Sequence, residues 1–346
     1  MVSLNKQFPC PPIECHGWPW DETYFRCQSK KNDSAQWPKV SIITPSFNQG
    51  QYLEETIRSV LLQDYPNLEY LILDGGSSDN SIEIIQKYEQ WLSFWVSEPD
   101  GGQADAINTG MQKSTGEYIG WLNSDDLLYP SAIRRVVEAF RCDRDAELIF
   151  GDVEQGQNLQ QGIYVLRGEQ IEFSEMLRTL RVPSPQQGCL WKRSVIKRIG
   201  PLDQRWQVVL DREFFTRAAE KCRVRHLPGI LGFFRNHEHS KSISQKRQWL
   251  VELPQMYIEF FERADLPLEI GWKKKETMGA VYLVCASITY QCGELLSSLR
   301  YLSIAIRTDP LIFFRSSFRS KLFKFLELKS GLLDDHVNGK GADKRN

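Results

Sequence analysis

The sequence carries almost no net charge: 43 Lys and Arg against 44 Asp and Glu in 346 residues leave a formal charge of −1. That balance disfavours a globally basic nucleic-acid binder, and equally a long acidic disordered chain. Long apolar runs are also missing. The longest candidate, Met278 to Tyr290, falls well short of the ~20 residues that a spanning helix needs. No charged segment leading into an apolar core follows Met1, so no signal peptide is expected and the chain should act on the cytoplasmic side. The eight cysteines (Cys10, Cys15, Cys27, Cys142, Cys189, Cys222, Cys285, Cys292) form no C-x-x-C pair, which suits reduced thiols better than a disulfide framework. Cys10, Cys15, His16 and Cys27 match no common zinc spacing. Repeats and low-complexity segments are absent too.

What is present is enough apolar residue, 41%, for a sizeable core, and a length that predicts two or three structural units. Residues 1–38 read as a Pro- and Trp-rich arm, with Gly17-Trp18-Pro19-Trp20 packing its rings onto the domain that follows. From Val40 strands and helices alternate. Val40–Thr44, Glu69–Asp74, Phe94–Val96, Glu117–Leu122 and Glu147–Gly151 read as strands; helices lie between them. Such alternation implies βαβ units and a mostly parallel sheet, an α/β fold. The expected organisation is a catalytic domain over 39–243, divided into 39–151 and 152–243, then a helical region over 244–346 with a polar tail.

Ligands of parallel sheets bind beyond the carboxyl ends of the strands. The residues there share a chemical character: Asp74, Asp79, Asp100, Asp105, Asp125 and Asp126 fall on or near one rim. Crowded carboxylates repel unless a cation or a donor-rich ligand neutralises them. Oxygen ligands without a Cys or His cluster point to Mg²⁺ or Mn²⁺, ions that bridge diphosphate oxygens. Helix capping is the competing reading, and for Asp79 it has equal standing.

The segments VSIITPSFNQGQYLEETIRSVLLQDYPNLEYLILDGGSSDNS, SEPDGGQADAINTG and GEYIGWLNSDD, in this order and spacing, resemble the core of family 2 glycosyltransferases. The resemblance implies the GT-A fold, a Rossmann-like, mostly parallel sheet flanked by helices, here with a helical C-terminal extension. It implies that Pro45, Ser46, Phe47 and Asn48 line the nucleotide pocket and that Asp74 recognises the base edge. Gly102, Asp105 and Asn108 then lie at a helix start near the phosphates or sugar, where no Arg or Lys stands between Glu98 and Gln112. By the same resemblance, Ser124-Asp125-Asp126 is the DXD-type motif: Asp125 faces ribose or sugar hydroxyls and Asp126 ligates the metal.

Inverting transfer also needs a base to take the acceptor hydroxyl's proton. The resemblance assigns Asp211, with Glu213 as the second choice. Gln186 and Gln187 stand where relatives often carry a His-Gln pair near the acceptor. His237 is a metal or phosphate contact by this reading, and Arg235 or Lys241 supplies the missing cation. The expected function is metal-dependent, inverting transfer of a sugar from a nucleotide-diphosphate donor to a glycan, lipid-linked or protein-linked hydroxyl in polysaccharide assembly. The alternative is an inactive sugar-binding or scaffold protein on the same fold. A sugar nucleotidyltransferase would need basic residues after the first strand, and Ser46–Gly50 has none. Aromatic and basic residues alternate within 310–329, which suits either peripheral contact with the inner membrane face or a helix docked on protein.

Overall fold

Seven consecutive buried residues make β1 (Val40–Ser46), as a strand covered on both faces requires. In α1 (Gly50–Leu61), Leu53, Ile57 and Val60 recur at helical spacing and bury one face. The alternation continues through β2 (Leu68–Asp74), α2 (Ser81–Tyr88), β3 (Phe94–Ser97), α3 (Gln103–Lys113) and β4 (Tyr118–Trp121). β1 pairs in parallel with β2 and β4, and β2 with β3, which gives the order β3-β2-β1-β4. The register sets Ser46 beside Asp74 and Asp74 beside Ser97. The loops after these strands therefore meet on one edge. The structure, a computed structural model, describes residues 8–12, 15–21, 37–161, 163–170, 172–181 and 186–314.

The second half of the sheet is mixed. Its elements are β5 (Leu127–Leu128), α4 (Ala132–Cys142), β6 (Leu148–Gly156), β7 (Tyr164–Leu166), α5 (Phe173–Thr179), β8 (Leu190–Lys192), α6 (Arg193–Ile199), α7 (Leu210–Lys221), β9 (Val224–Arg235) and α8 (Lys241–Ser244). The sheet order continues β4-β8-β6-β9-β5, with β7 on β6. The sequence predicts a strand ending at Gly151, but β6 runs on to Gly156. Its extension pairs with the far half of β9 past a register shift at Asp152, a tertiary partnership that no local pattern announces. Antiparallel pairing of Leu127 with Phe233 brings the 123–126 loop alongside Arg235.

The N-terminal arm does pack its rings on this unit, and one buried cation organises the contact. Arg58 of α1 is fully buried and donates to the carbonyls of Pro9 (2.8 Å), Pro19 (3.2 Å) and Trp20 (3.3 Å) and to Tyr88 Oη (3.1 Å). Its guanidinium also lies 4.8 Å from the Phe8 ring centroid and 5.2 Å from that of Trp20. Trp18 is buried as well, with Nε1 donating to Leu128 O at 2.8 Å.

The chain divides into two compact units, Met1–Ile171 with Val182–Gln245, and Glu172–Arg181 with Lys246–Asn346. The second contains α5 and the helices α9 (Lys246–Glu262), α10 (Leu268–Gly271), α11 (Lys274–Gln291) and α12 (Leu295–Thr308). There Ala305 and Ile312 are buried against Tyr282, Leu283 and Ile306. No helix of the described residues is long and apolar enough to cross a membrane. The basic, aromatic stretch lies outside the described residues from 315 onward, as does Cys27.

Replacing Arg58 by Met, which keeps bulk but no donors, leaves three carbonyls without their partner in a buried setting. Stability should fall by about 3 kcal/mol, read as a lower urea midpoint with an unchanged slope.

Candidate active site

A cavity of about 800 Å³ opens at the carboxyl ends of β1, β2, β3 and β4. Its wall includes the expected Pro45, Ser46, Phe47, Gly102, Ser124, Asp125 and Asp211. It also includes Gly75, Asp100, Gln103, Trp121 and Asn123, which lie within the motif segments without an assigned role, and Lys241.

Several expected ligand residues hold the protein itself instead. Asp74 is buried, and its carboxylate accepts Ser77 N–H (2.8 Å), Ser77 O–H (2.6 Å) and Ser97 O–H (2.7 Å). It is not part of the cavity wall. Asn48 accepts from Ser78 N–H at 2.8 Å and so stitches the β1 loop to the β2 loop. Asp79 takes Gly50 N–H (2.8 Å) and Ser81 N–H (3.0 Å), capping the starts of α1 and α2 together. Burial raises its pKa, and the hydrogen bonds outweigh that and hold it below the ordinary value. A Cβ on Gly50 would sit 1.8 Å from Asn80 Oδ1, so any larger residue there would displace the Asn80 side chain. Asp105 accepts Gly101 N–H (2.9 Å) and Gln204 Nε2–H (2.8 Å). Asn108 donates to Leu202 O (2.8 Å) and accepts Leu202 N–H (2.9 Å), replacing a strand partner with a side-chain amide. Asp105 and Asn108 thus staple α3 to the loop before α7.

The 123–126 loop sets its two aspartates in different surroundings. Asp126 is fully buried and accepts N–H from Arg235 (2.9 Å), Gln186 (3.0 Å), Gln187 (2.5 Å) and Asn123 (3.3 Å). Those donors surround its carboxylate, and Asp126 does not line the cavity. Burial first, and Asp125 second, push its pKa well above the ordinary range against the pull of these donors. Gln186 and Gln187 reach the wall but spend their amide N–H groups on this carboxylate. Asp125 is the aspartate on the wall, its Oδ2 2.9 Å from His237 Nε2. His237 Nδ1 is buried with no hydrogen-bond partner among the described residues, and His237 does not itself line the cavity. Arg235 is buried too, donating Nε–H to Asp125 O at 2.8 Å and pairing with Glu55. It shapes the loop and does not line the cavity; Lys241 is the cation that does.

Asp211 stands in the first turn of α7, half-buried at the cavity wall. Burial raises its pKa above the ordinary aspartate value, the opposing effect of Arg212 being smaller. Glu213 lies apart from the cavity: its carboxylate pairs with Arg217 at 2.5 and 2.7 Å and does not reach the wall.

No three His, Cys, Asp or Glu side chains among the described residues converge tightly enough to hold a metal unaided. Asp125 lines the cavity, with His237 Nε2 2.9 Å from its Oδ2. Magnesium typically takes one or two carboxylates and completes its shell with phosphate oxygens and water, so Asp125 fits a cation delivered with a diphosphate.

A cavity beyond the carboxyl ends of parallel strands is where α/β enzymes bind their ligands, and the likeness to known proteins narrows the class. Residues 41–185 match the sequence pattern of Glycosyl transferase family 2. An uncharacterized glycosyltransferase of Mycobacterium tuberculosis is 33% identical over 189 residues, covering 54% of this chain and 70% of that protein. Another from Nostoc sp. is 25% identical over 244 residues, covering 64% and 75%. Among solved structures, S. aureus TarS 1–349 in complex with UDP-GlcNAc superposes with a TM-score of 0.57 at 18% identity, over 78% of this chain and 81% of that one. The mannosyltransferase PcManGT of Pyrobaculum calidifontis, in complex with GDP-Man and Mn²⁺, gives 0.56 at 15% identity over 92% of each chain. The chain belongs to glycosyl transferase family 2 and is a glycosyltransferase of GT-A fold, as its motifs predict.

The two aspartates should separate in a denaturation experiment without ligands. Asp126→Asn turns an NH₂ group onto N–H donors and should cost about 1–3 kcal/mol. Asp125→Asn keeps an acceptor for His237 and should stay within about 1 kcal/mol of the parent.

Proposed function

We propose that the enzyme transfers a sugar from a nucleoside-diphosphate donor to an acceptor hydroxyl with inversion, assisted by Mg²⁺ or Mn²⁺. The observation that carries the reading is the presence of Asp125, Lys241 and a desolvated Asp211 on one cavity wall. Asp125 on the wall holds the cation, His237 positions its carboxylate, and Lys241 adds positive charge near the diphosphate. The cation's part is to neutralise charge on the departing diphosphate. Asp211 accepts the acceptor hydroxyl's proton as that oxygen attacks the anomeric carbon, while the bond to the diphosphate breaks on the opposite face. A carboxylate kept out of water is a stronger base than an exposed one, which matches the direction of its shift. Trp121 and Gln207 on the same wall provide an apolar face and a hydrogen-bonding amide for a sugar ring. An acceptor taken from a growing glycan or its lipid or protein carrier suits a cavity open to solvent.

The test is nucleoside-diphosphate release from a panel of nucleotide sugars with glycan acceptors, with and without EDTA, the product anomer being read by NMR. Asp211→Asn should lower kcat by about 10²–10⁴-fold while donor affinity stays within about threefold. Unchanged turnover in that variant removes Asp211 as the base, and retention at the anomeric carbon removes the single displacement.

The pH profile carries its own sign. The base works ionised, so kcat/KM should rise with pH through the Asp211 pKa and then level off. Because burial raises that pKa, the half-rise lies above the value of an ordinary aspartate.

A further inference from the structure

The hairpin of β6 and β7 presents an exposed surface without charge. No charged residue stands between Glu154 and Arg167, although a quarter of the chain is charged, and five of these twelve residues are amides. Opposite Gln155 on β7 stands Tyr164, 53% exposed, with Ile163 and Val165 exposed beside it. Asn236 ties the pair together: its Oδ1 accepts Gln155 Nε2–H at 2.9 Å, and its Nδ2 lies 3.4 Å from Tyr164 Oη. The side chains of Gln157 and Gln160 are exposed and spend no hydrogen bond on the described residues.

This surface adjoins the cavity. Gly156 lies beside Arg235 in the sheet, and Asn236 N–H donates to Gly156 O at 2.8 Å. Along the chain Asn236 stands between Phe234 and His239, both on the cavity wall, and its neighbour His237 bonds Asp125. The chemistry of the hairpin limits what it can hold. Anionic lipid and nucleic acid are met by Lys and Arg, and neither occurs between Glu154 and Arg167. An edge strand of only three residues gives another chain little to pair with. A sugar ring, by contrast, presents an apolar C–H face and a rim of hydroxyls. The Tyr164 ring matches the face, and amides, which both donate and accept, match the rim.

We propose that the β6–β7 hairpin is a binding surface for an uncharged oligosaccharide, Tyr164 stacking on one sugar ring while Gln157, Gln160 and Asn236 bond its hydroxyls. The further step, that the bound chain is the acceptor, rests on the sugar-transfer reading above: its end lies in the cavity and a more distant residue rests on Tyr164. The surface then favours a glycan chain over a bare lipid or protein hydroxyl.

The experiment screens the full chain on arrayed hexamers of glucose, mannose, galactose and N-acetylglucosamine, with hexauronates as the anionic control. The tightest hit is then titrated calorimetrically into the wild type, Tyr164→Phe and Tyr164→Ala, with UDP and GDP, each with Mn²⁺, titrated in parallel. At least one uncharged hexamer should bind. Tyr164→Ala should weaken it about tenfold, and Tyr164→Phe, which keeps the ring, should stay within about threefold of the wild type. Because Tyr164 is exposed, both variants should keep the wild-type urea midpoint and nucleoside-diphosphate affinity. No uncharged hexamer bound, a preference for hexauronates, or wild-type glycan affinity in Tyr164→Ala overturns the surface. So does a fall in oligomeric mass on Tyr164→Ala by light scattering, since the hairpin then seats a second copy of the chain. Glycan binding without nucleoside-diphosphate binding leaves the surface standing and removes the donor-site reading alone.

Discussion

The site depends on one buried carboxylate and the donors gathered around it. Asp126 has no water, and an unpaired charge in that position would cost several kcal/mol. The fold meets the cost with side-chain amides of Asn123, Gln186 and Gln187 and the backbone N–H of Arg235. These come from three separate stretches of chain, so their convergence fixes three loops at once. Arg235 then reaches on to Asp125 O and Glu55, while Thr56 Oγ lies 2.9 and 2.8 Å from the carbonyls of Ser124 and Asp126. The result is a loop held from below, with Asp125 as the acid it presents to the cavity.

The same economy governs the rest of the rim. Asp74, Asp79 and Asp105 each take hydrogen bonds from neighbouring loops, and Asn108 imitates a strand partner for Leu202. These residues are positioning groups. They hold the strand-end loops still enough for Asp100, Asp125, Lys241 and Asp211 to face one cavity. A rim crowded with aspartates is tolerable because most of their charge is already met by N–H and O–H donors, leaving only a minority for a ligand or cation.

Much of the fold was legible because local periodicity carries it. The buried run Val40–Ser46, the apolar repeat of α1 and the Gly-rich strand ends are properties of short segments. The extension of β6 to Gly156 was not, because its pairing with β9 joins residues about 80 positions apart. In the same way, spacing brings Asp125 and Asp126 to the same loop but says nothing of which one turns inward. That choice is made by Arg235, 109 positions beyond Asp126 and aligned with it by the pairing of β5 and β9.

The sequence by itself determined the family, the parallel sheet and the rim on which the chemistry gathers, because ordered motifs and hydrophobic period are written along the chain. Tertiary structure alone decided which acids are spent on the protein and which remain for a ligand. A carboxylate's role is set by the donors that surround it, and here those donors come from distant strands. The near-zero charge hides this division: acids tied into loops and acids left on the cavity wall count equally in a sum, and only burial and partners tell them apart.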